Sequence, residues 1–139
     1  MNSFVIGFTG TRKGLTEKQR GRILSLVEEL SASGCLFCLH GDCVGADAEF
    51  DALCRSIERA RVACLPCDIF SQRAFTGSTE LEPPQRPIER NHKIVDMCDM
   101  VIACPSGGEE ELRSGTWATI RYVKKTSKPL TIVFPDGTS

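Results

Sequence analysis

Arg113-Ser114-Gly115-Thr116-Trp117-Ala118-Thr119-Ile120 follows the apolar run 100–104, so that a predicted strand leads through a turn of small residues into a predicted helix. A helix that begins at Ser114 or Gly115 presents unpaired backbone N–H groups and the positive end of its dipole to whatever lies in front of it. That arrangement favours a phosphate group. The pattern therefore predicts a ligand-binding turn that includes Ser114, Gly115 and Thr116.

The same pattern, an apolar strand followed by an amphipathic helix, recurs along the chain. Residues 4–8 are apolar, and residues 16–33 carry apolar side chains at i, i+3, i+4 and i+7. Thr16 and Gln19 have the spacing of a capping box, and Gly34 ends the helix. Further strands are predicted at 35–39, 62–65, 100–104 and 130–134, and further helices at 46–60, 87–97 and 115–125.

Strands that alternate with helices imply right-handed crossovers and a parallel sheet that is covered on both faces. We therefore predict an α/β fold, a Rossmann-like three-layer sandwich with a mostly parallel five-stranded sheet, as a single domain over residues 1–139. In such sheets the ligand crevice lies beyond the carboxyl ends of the strands. The segments that leave those ends are 9–15, 40–45, 66–86 and 105–115.

Composition excludes some classes of function. The chain has 139 residues, a hydrophobic content of 41% and a net charge of −1, whereas DNA-binding domains usually carry a basic excess. Nucleic acid is therefore not an expected partner. No apolar run approaches the roughly 20 residues of a membrane helix, and the first residues do not have the pattern of a secretory signal. A cytoplasmic location without membrane contact is the expectation.

Eight cysteines include two pairs at metal-like spacing, Cys35–Cys38 and Cys64–Cys67. Both pairs fall on or beside predicted strands, where residues three apart point to opposite faces. We predict that the cysteines are small buried thiols, with no metal and no cofactor, and zinc is the alternative.

Two turns carry groups that suit an anionic or ribose-bearing ligand. Residues 9–14 combine Gly10 with hydroxyl groups and two cations, although a plain polar turn has the same composition. Residues 40–47 form a turn bracketed by glycines, in which Asp42 is a candidate helix cap and Asp47 lies in the first helical turn. His40 is interpreted as a structural hydrogen-bonding residue, with a general base as the alternative.

Segment 66–86 is longer than a typical connection in such a fold, which favours a functional loop. Phe70 or Phe75 is a candidate for stacking on a base, with Arg73 on a phosphate. Alternatively, the two phenylalanines pin the loop to the domain. Trp117 is interpreted as a packing residue in the core or in a dimer interface.

In their order and spacing, the four turns resemble the SLOG superfamily of Rossmann-like nucleotide-binding domains. This superfamily includes the LOG phosphoribohydrolases, molybdenum-cofactor carrier-like proteins and the Rossmann core of DNA-processing protein A. The resemblance covers nearly the whole chain and implies a nucleotide-derived ligand, with a phosphate at Gly115-Thr116 and Arg90 or Arg12 nearby. It rests on Gly7-Phe8-Thr9-Gly10-Thr11-Arg12, on His40-Gly41-Asp42 with Gly45-Ala46-Asp47, on Arg90-Asn91 with Asp99 and Ala103, and on Pro105 with Gly115-Thr116.

The chain departs from the hydrolases of that superfamily in two respects, a substituted residue and an interrupted motif. Their glycine-rich motif ends in a catalytic glutamate, which is paired with an arginine on the preceding helix. Arg90 matches the arginine, but Ala118 stands at the glutamate position. Residues 109–111, three consecutive glutamates, interrupt the motif and are interpreted as a solvated loop. One of them is alternatively an acceptor for a ribose diol or a replacement for the missing carboxylate.

The residues therefore predict a protein that binds a nucleotide or nucleotide-derived signal, such as a cyclic ADP-ribose-like compound, as a sensor, carrier or sponge. The alternative is a hydrolase or transferase that acts on a nucleotide N-glycosidic bond, with Arg90 and Asp42, Asp47 or one of the glutamates 109–111 as the acid–base pair. A third interpretation is an interaction module without a small ligand.

A homodimer or dimer of dimers is expected. The predicted ligand-binding residues are Thr9, Gly10, Thr11, Arg12, Gly41, Asp42, Gly45, Asp47, Arg90, Asn91, Pro105, Ser114, Gly115 and Thr116.

Overall fold

The computed structural model describes residues 3–139, and a six-stranded sheet runs through them. The strands are β1 (Phe4–Gly10), β2 (Leu36–His40), β3 (Ala60–Cys64), β4 (Thr79–Glu80), β5 (Met100–Cys104) and β6 (Leu130–Ile132). The helices are α1 (Glu17–Ser31), α2 (Ala46–Arg55), α3 (Pro87–Met97) and α4 (Gly115–Thr126), with one 3-10 turn at Phe70–Gln72.

All neighbouring strands are parallel, in the order β4-β3-β2-β1-β5-β6. Helices α1 and α2 pack on one face of the sheet, and α3 and α4 pack on the other. The predicted Rossmann-like α/β sandwich is confirmed. Because the chain moves outward from β1 to β4 and then returns to the other side of β1, the direction of winding reverses between β1 and β5. Ligand crevices in open α/β sheets form at such a reversal.

The sheet has six strands rather than the predicted five. The additional strand, β4, lies inside segment 66–86 and pairs with β3 through Ala63–Thr79 and Cys64–Glu80. Both of its residues are exposed, so the alternation of apolar and polar residues that identifies a strand is missing. Helix α2 ends at Arg55, five residues before its predicted end, because residues 56–60 turn into β3.

Helix α1 supports the end of the sheet where β5 and β6 finish. Its predicted capping box is confirmed: the hydroxyl of Thr16 accepts from the backbone N–H of Gln19 at 3.1 Å, and the side chain of Gln19 accepts from the backbone N–H of Thr16 at 3.0 Å. The Nε2 atom of the buried Gln19 donates to the carbonyl oxygens of Pro105 and Val133, each at 3.0 Å. These bonds fix the start of the loop that leads to α4.

The cysteines are free thiols, of which Cys35 is exposed, Cys43 half-buried and the other six buried. Among residues 3–139, no group of three or more histidine, cysteine, aspartate or glutamate side chains has the arrangement of a metal site. Within the same residues, no helix has the length and apolar character needed to cross a membrane. Trp117 is 5% exposed and packs with Ala103 and Ile120.

Candidate ligand-binding cleft

A cleft of about 430 Å³ opens at the carboxyl ends of the central strands, beside the reversal between β1 and β5. This volume lies within the range of small-molecule sites. The loop after β1, the turn after β2, the first turn of α3 and the start of α4 form its walls. Its lining residues are Phe8, Thr9, Gly10, Thr11, Arg12, Lys13, Gly41, Cys43, Asp47, Gln72, Pro87, Arg90, Asn91, Ser106, Glu111, Arg113, Ser114, Gly115 and Thr116.

Most of the predicted ligand-binding residues come together in this cleft, and three do not. Asp42, Gly45 and Pro105 lie outside its lining. A side chain at Gly45 would collide with the backbone of Arg12. Glycine at this position therefore allows the turn after β2 to pack closely against the loop after β1. The lining also contains two residues that the sequence offered only as alternatives, Lys13 and Glu111. Six others were not predicted from the sequence: Phe8, Cys43, Gln72, Pro87, Ser106 and Arg113, of which Gln72 reaches the cleft from segment 66–86.

Arg90 on α3 is the most deeply buried cation of the cleft, with 4% of its surface exposed. Its Nη1 atom donates to the carbonyl oxygens of Gly41 and Leu65, the latter at 3.2 Å, and its Nε atom donates to Oδ1 of Asn91 at 2.7 Å. Within residues 3–139, the one hydrogen bond of the Nη2 atom goes to the sulfur of Cys43, at 3.4 Å, and thiol sulfur is a weak acceptor. Among residues 3–139, no carboxylate lies within 4.0 Å of this guanidinium.

A buried cation without an anionic partner is costly, because desolvation is not offset by an ion pair. In this protein, carbonyl oxygens and the more distant charge of Asp47 compensate the charge of Arg90 only in part. The guanidinium also borders an open cleft. An anion that enters the cleft would supply the missing countercharge, and planar guanidinium groups bind phosphate and carboxylate in a bidentate manner.

Asp47, in the first turn of α2, holds the turn after β2 in place. Its Oδ2 atom accepts from the backbone N–H groups of Gly41 and Cys43, both at 3.1 Å. Burial raises the pKa of this carboxyl group, while the positive charge of Arg90 and the two N–H donors oppose the increase. Asp47 therefore shapes the wall that carries the carbonyl of Gly41, and it is also the most strongly buried carboxyl group of the cleft.

The start of α4 has the geometry expected from the sequence. Ser114 is the N-cap, and its hydroxyl accepts from the backbone N–H of Trp117 at 3.3 Å. The first intrahelical bond runs from Ala118 to the carbonyl of Ser114 at 2.9 Å. The N–H groups of Gly115 and Thr116 precede it and border the cleft. No acidic residue occupies the first turn, so the positive end of the helix dipole is not offset locally.

The cleft concentrates positive charge in a chain whose net charge is −1. Four cationic side chains and two carboxylates line it, which gives a formal charge of +2. Within residues 3–139, none of the four cations forms an ion pair. The cations are Arg12, Lys13, Arg90 and Arg113, and the carboxylates are Asp47 and Glu111.

His40 lies outside the cleft and serves a structural role, as interpreted from the sequence. It is 0% exposed, and its Nδ1 atom accepts from the backbone N–H of Asp42 at 2.9 Å. Its Nε2 atom lies 2.7 Å from Oδ2 of Asp51. Burial raises the pKa of Asp51, but hydrogen bonds from His40, Ser78 and Arg55 outweigh burial and hold that pKa well below its usual range. Both ring nitrogens are therefore engaged, away from any ligand.

Asp42 anchors segment 66–86. It adopts a left-handed backbone conformation with φ of 57°, is 1% exposed, and accepts from Nη2 of Arg73 at 2.8 Å and from the backbone N–H of Thr76 at 2.9 Å. Burial raises the pKa of Asp42, but these hydrogen bonds lower it by a larger amount. The pKa of Asp42 therefore lies below its usual value. The side chain does not cap α2, whose N-cap is Gly45.

The aromatic residues of the same segment lie outside the cleft lining. Phe70 and Phe75 contact each other with ring centroids 5.0 Å apart, and the guanidinium of Arg73 lies 4.2 Å from the ring centre of Phe75. Arg73 pairs with Asp42 and Glu80 rather than facing the cleft. This arrangement supports the interpretation in which the phenylalanines belong to the packing of the loop.

The three consecutive glutamates separate in the structure. Glu110 pairs with Arg121 at 2.7 Å on the surface, and Glu109 is exposed. Glu111 is the one that borders the cleft.

A shallower groove of about 690 Å³ lies at the opposite end of the sheet, between the last turns of α1 and α2. Its charged residues are Glu28, Glu58 and Arg59, and it contains no helix N-terminus. Despite its larger volume, this groove lacks the converging cations and N–H donors of the cleft, which remains the stronger candidate site.

Fold and cleft together define a Rossmann-like α/β protein with a cationic cleft at the reversal of its sheet. No family model matches the chain, and no curated protein matches its sequence. A solved structure described as the molybdenum cofactor binding protein from the phototrophic bacterium Rippkaea orientalis is similar, with a TM-score of 0.74 and 19% identity over 96% of this chain and 78% of that one. The structural-genomics target TM1055 is similar with a TM-score of 0.64 and 20% identity over 94% of this chain and 72% of that one. These similarities show a shared fold.

Proposed function

We propose that this chain binds a nucleotide or nucleotide-derived small molecule in the cleft, with a phosphate at the start of α4, and acts as a sensor, carrier or sponge for it. One observation carries the proposal. The guanidinium of Arg90 is buried without a carboxylate partner among residues 3–139, and it borders the same cleft as the free N–H groups of Gly115 and Thr116.

The neutral and polar residues of the cleft favour a ligand with a sugar beside its phosphate. Hydroxyl and amide groups of Thr9, Thr11, Asn91 and Gln72 line the walls, and Glu111 can accept hydrogen bonds from a ribose diol. The resemblance of the turns to the SLOG superfamily supports a nucleotide-derived ligand. The molybdenum cofactor belongs among the compounds to be tested, because one structural neighbour is described as binding it.

Binding without turnover is favoured by the residue at position 118. Ala118 stands where the hydrolases of the SLOG superfamily carry a catalytic glutamate, and it is exposed on α4. The alternative of an N-glycosidic hydrolase rests on Asp47, whose burial raises its pKa and which borders the cleft beside Arg90. A carboxyl group with a raised pKa suits a general acid.

The test combines thermal stabilisation with mass spectrometry. Purified chain is incubated with nucleoside monophosphates, NAD, ADP-ribose, cyclic ADP-ribose isomers, cyclic dinucleotides and the molybdenum cofactor. A ligand that binds the folded state raises the unfolding temperature, and mass spectrometry shows whether it is recovered intact. Recovery of the intact compound supports capture, and release of free base supports the hydrolase.

Arg90 in α3 and Arg86, the N-cap residue that precedes this helix, provide a matched pair of variants. Arg90→Gln removes the buried cation of the cleft, and Arg86→Gln removes an exposed arginine one turn earlier that does not line it. The proposal expects the thermal shift to disappear in the first variant and to persist in the second. No shift with any compound, or equal shifts in both variants, would contradict it.

A further inference from the structure

We propose that the ligand carries two anionic groups separated by a sugar, as in a nucleoside 3′,5′-bisphosphate, rather than one phosphate or two adjacent ones. This inference rests on the proposed function and specifies the class of ligand. It follows from the positions of the two anion-attracting features of the cleft, which lie over different strands.

The first feature is Arg90, which lies over the ends of β2 and β3. Its Nη1 atom donates to the carbonyl oxygens of Gly41 and Leu65, the residues that directly follow these two strands. A side chain at Gly41 would collide with the guanidinium, so the guanidinium lies directly against the backbone. The cation is therefore held at that end of the cleft.

The second feature is the start of α4, which lies beside the end of β5. Trp117, in the first turn of α4, belongs to a buried cluster with Ala103 of β5, and Leu130 and Ile132 of β6 pack against that cluster. The free N–H groups of Gly115 and Thr116 border the cleft at this place, with the side chain of Arg113 alongside.

The boundary between β2 and β3 lies two and a half strand spacings from β5 in the sheet order. Neighbouring strands lie roughly 4.8 Å apart, so the two features are separated by roughly 12 Å. Two phosphates that share an oxygen are closer together than this distance. A single phosphate that binds at the start of α4 leaves Arg90 without a countercharge, and one that binds Arg90 leaves the helix dipole and Arg113 unoccupied.

Charge leads to the same conclusion. The lining has a formal charge of +2, and its cations are distributed over both ends. Arg90 stands at one end and Arg113, just before α4, at the other, while Arg12 and Lys13 belong to the loop after β1 between them. An anion at each end neutralises both groups, which one anion at one end does not do.

The test compares three probes by isothermal titration calorimetry with the native chain: adenosine 5′-monophosphate, adenosine 5′-diphosphate and adenosine 3′,5′-bisphosphate. The expected result is that the bisphosphate binds at least roughly tenfold more tightly than either other probe, because only it places a charge-assisted hydrogen-bonded group at both ends. The diphosphate separates the effect of spacing from that of added charge. Equal affinity for the diphosphate and the bisphosphate would overturn the inference.

Gly115→Asp closes one end of the cleft. A side chain at Gly115 meets no other atom within 4 Å, and an aspartate in the first turn is favourable for a helix, so this variant is expected to fold. Its carboxylate repels a phosphate at α4, and the preference for the bisphosphate over the monophosphate should fall to about onefold. Gly108→Asp, which adds the same charge at an exposed position outside the cleft lining, should keep the preference.

The outcomes separate the two proposals. If the monophosphate and the bisphosphate bind the native chain with equal affinity, the two-anion inference is overturned and the proposed function remains intact. The same holds if a compound with one phosphate group from the wider panel binds while the bisphosphate does not. If no compound of either set binds, both proposals fail.

Discussion

A methyl group on Gly41 would lie 2.5 Å from Nη1 of Arg90, so the guanidinium occupies the space that any larger residue at position 41 would fill. The backbone of Gly41 does not have a positive φ, so the need for glycine here comes from the close approach of Arg90 rather than from conformation. The glycine after β2 and the arginine on α3 therefore form one unit of the cleft, although they are separated by 49 residues.

Gly41→Ala should displace Arg90 and weaken ligand binding. We expect a loss of affinity for adenosine 3′,5′-bisphosphate of roughly tenfold or more, the scale of a charged hydrogen bond, measured by titration calorimetry. Gly21→Ala on α1, where a methyl group meets no atom within 4 Å, serves as the control. It should leave affinity unchanged and increase the free energy of unfolding by about 0.5–1 kcal/mol. Unchanged affinity in Gly41→Ala would contradict the role of Arg90.

Asp42→Asn should loosen segment 66–86 without affecting ligand binding. Asparagine tolerates the left-handed backbone at this position, but it removes the charge that pairs with the buried Arg73. The free energy of unfolding should fall by about 2–4 kcal/mol, and limited proteolysis within the segment should accelerate. Glu110→Gln breaks an exposed ion pair as a control and should cost less than about 1 kcal/mol. Loss of ligand affinity with unchanged stability would instead place Asp42 at the ligand.

Stability should decrease on acidification. The folded chain lowers the pKa of Asp42 and of Asp51, because hydrogen bonds to their carboxylates outweigh burial. Both groups therefore stabilise the fold above their unfolded pKa of about 4 and lose that contribution as the pH falls through their folded values. Denaturant unfolding at pH 7, 5 and 3 measures the effect. Equal free energies of unfolding at pH 5 and pH 3 would contradict it.

Titration of Asp47 should change the free energy of unfolding in the opposite direction to titration of Asp42 and Asp51. Burial raises its pKa in the folded chain, so its contribution is greatest when it is protonated and decreases as the pH rises through the folded pKa. Asp47→Asn keeps an acceptor for the N–H groups of Gly41 and Cys43 but removes this titration. The variant should therefore lose stability more steeply than the native chain between pH 7 and pH 3. A shallower profile would show that the pKa of Asp47 is not raised.

Trp117→Phe should be tolerated. Among residues 3–139, the indole Nε1 of Trp117 is buried without a hydrogen-bond partner, so its removal relieves an unsatisfied donor while most of the ring packing remains. The free energy of unfolding should change by less than about 1 kcal/mol, whereas Trp117→Ala should cost about 3–5 kcal/mol. Denaturant unfolding distinguishes the two. A loss above about 2 kcal/mol in Trp117→Phe would show that Nε1 has a partner.

The order of strands and helices could be predicted because each strand is an apolar run and each helix has a regular apolar stripe. The capping residues Thr16 and Gln19 even located the start of α1. Strand β4 was missed because two exposed polar residues carry no periodicity, and each of them pairs with a residue of β3 that lies sixteen positions earlier in the chain. The end of α2 was placed too late because residues 56–60 have a composition that a helix tolerates.

The cleft could be predicted in outline because the carboxyl ends of parallel strands meet at one edge of the sheet. Sequence could not show that Asp42 pairs with Arg73, since the two are 31 residues apart and no local pattern joins them. For the same reason, the sequence could not show that Nε2 of His40 lies within hydrogen-bond distance of the carboxylate of Asp51. Each of these polar residues follows or flanks a strand end, where a ligand contact and a structural hydrogen bond have the same appearance in sequence.

The most direct test of the account is an amide nuclear magnetic resonance titration of the native chain with adenosine 3′,5′-bisphosphate. The account predicts that the largest shifts occur at the backbone N–H groups of Gly115 and Thr116 and at the turn that contains Gly41, with the side-chain Nε–H signal of Arg90 affected as well. Shifts confined to the groove between the ends of α1 and α2, or no shift at Gly115 and Thr116 at saturation, would contradict the claim that this cleft binds a phosphate.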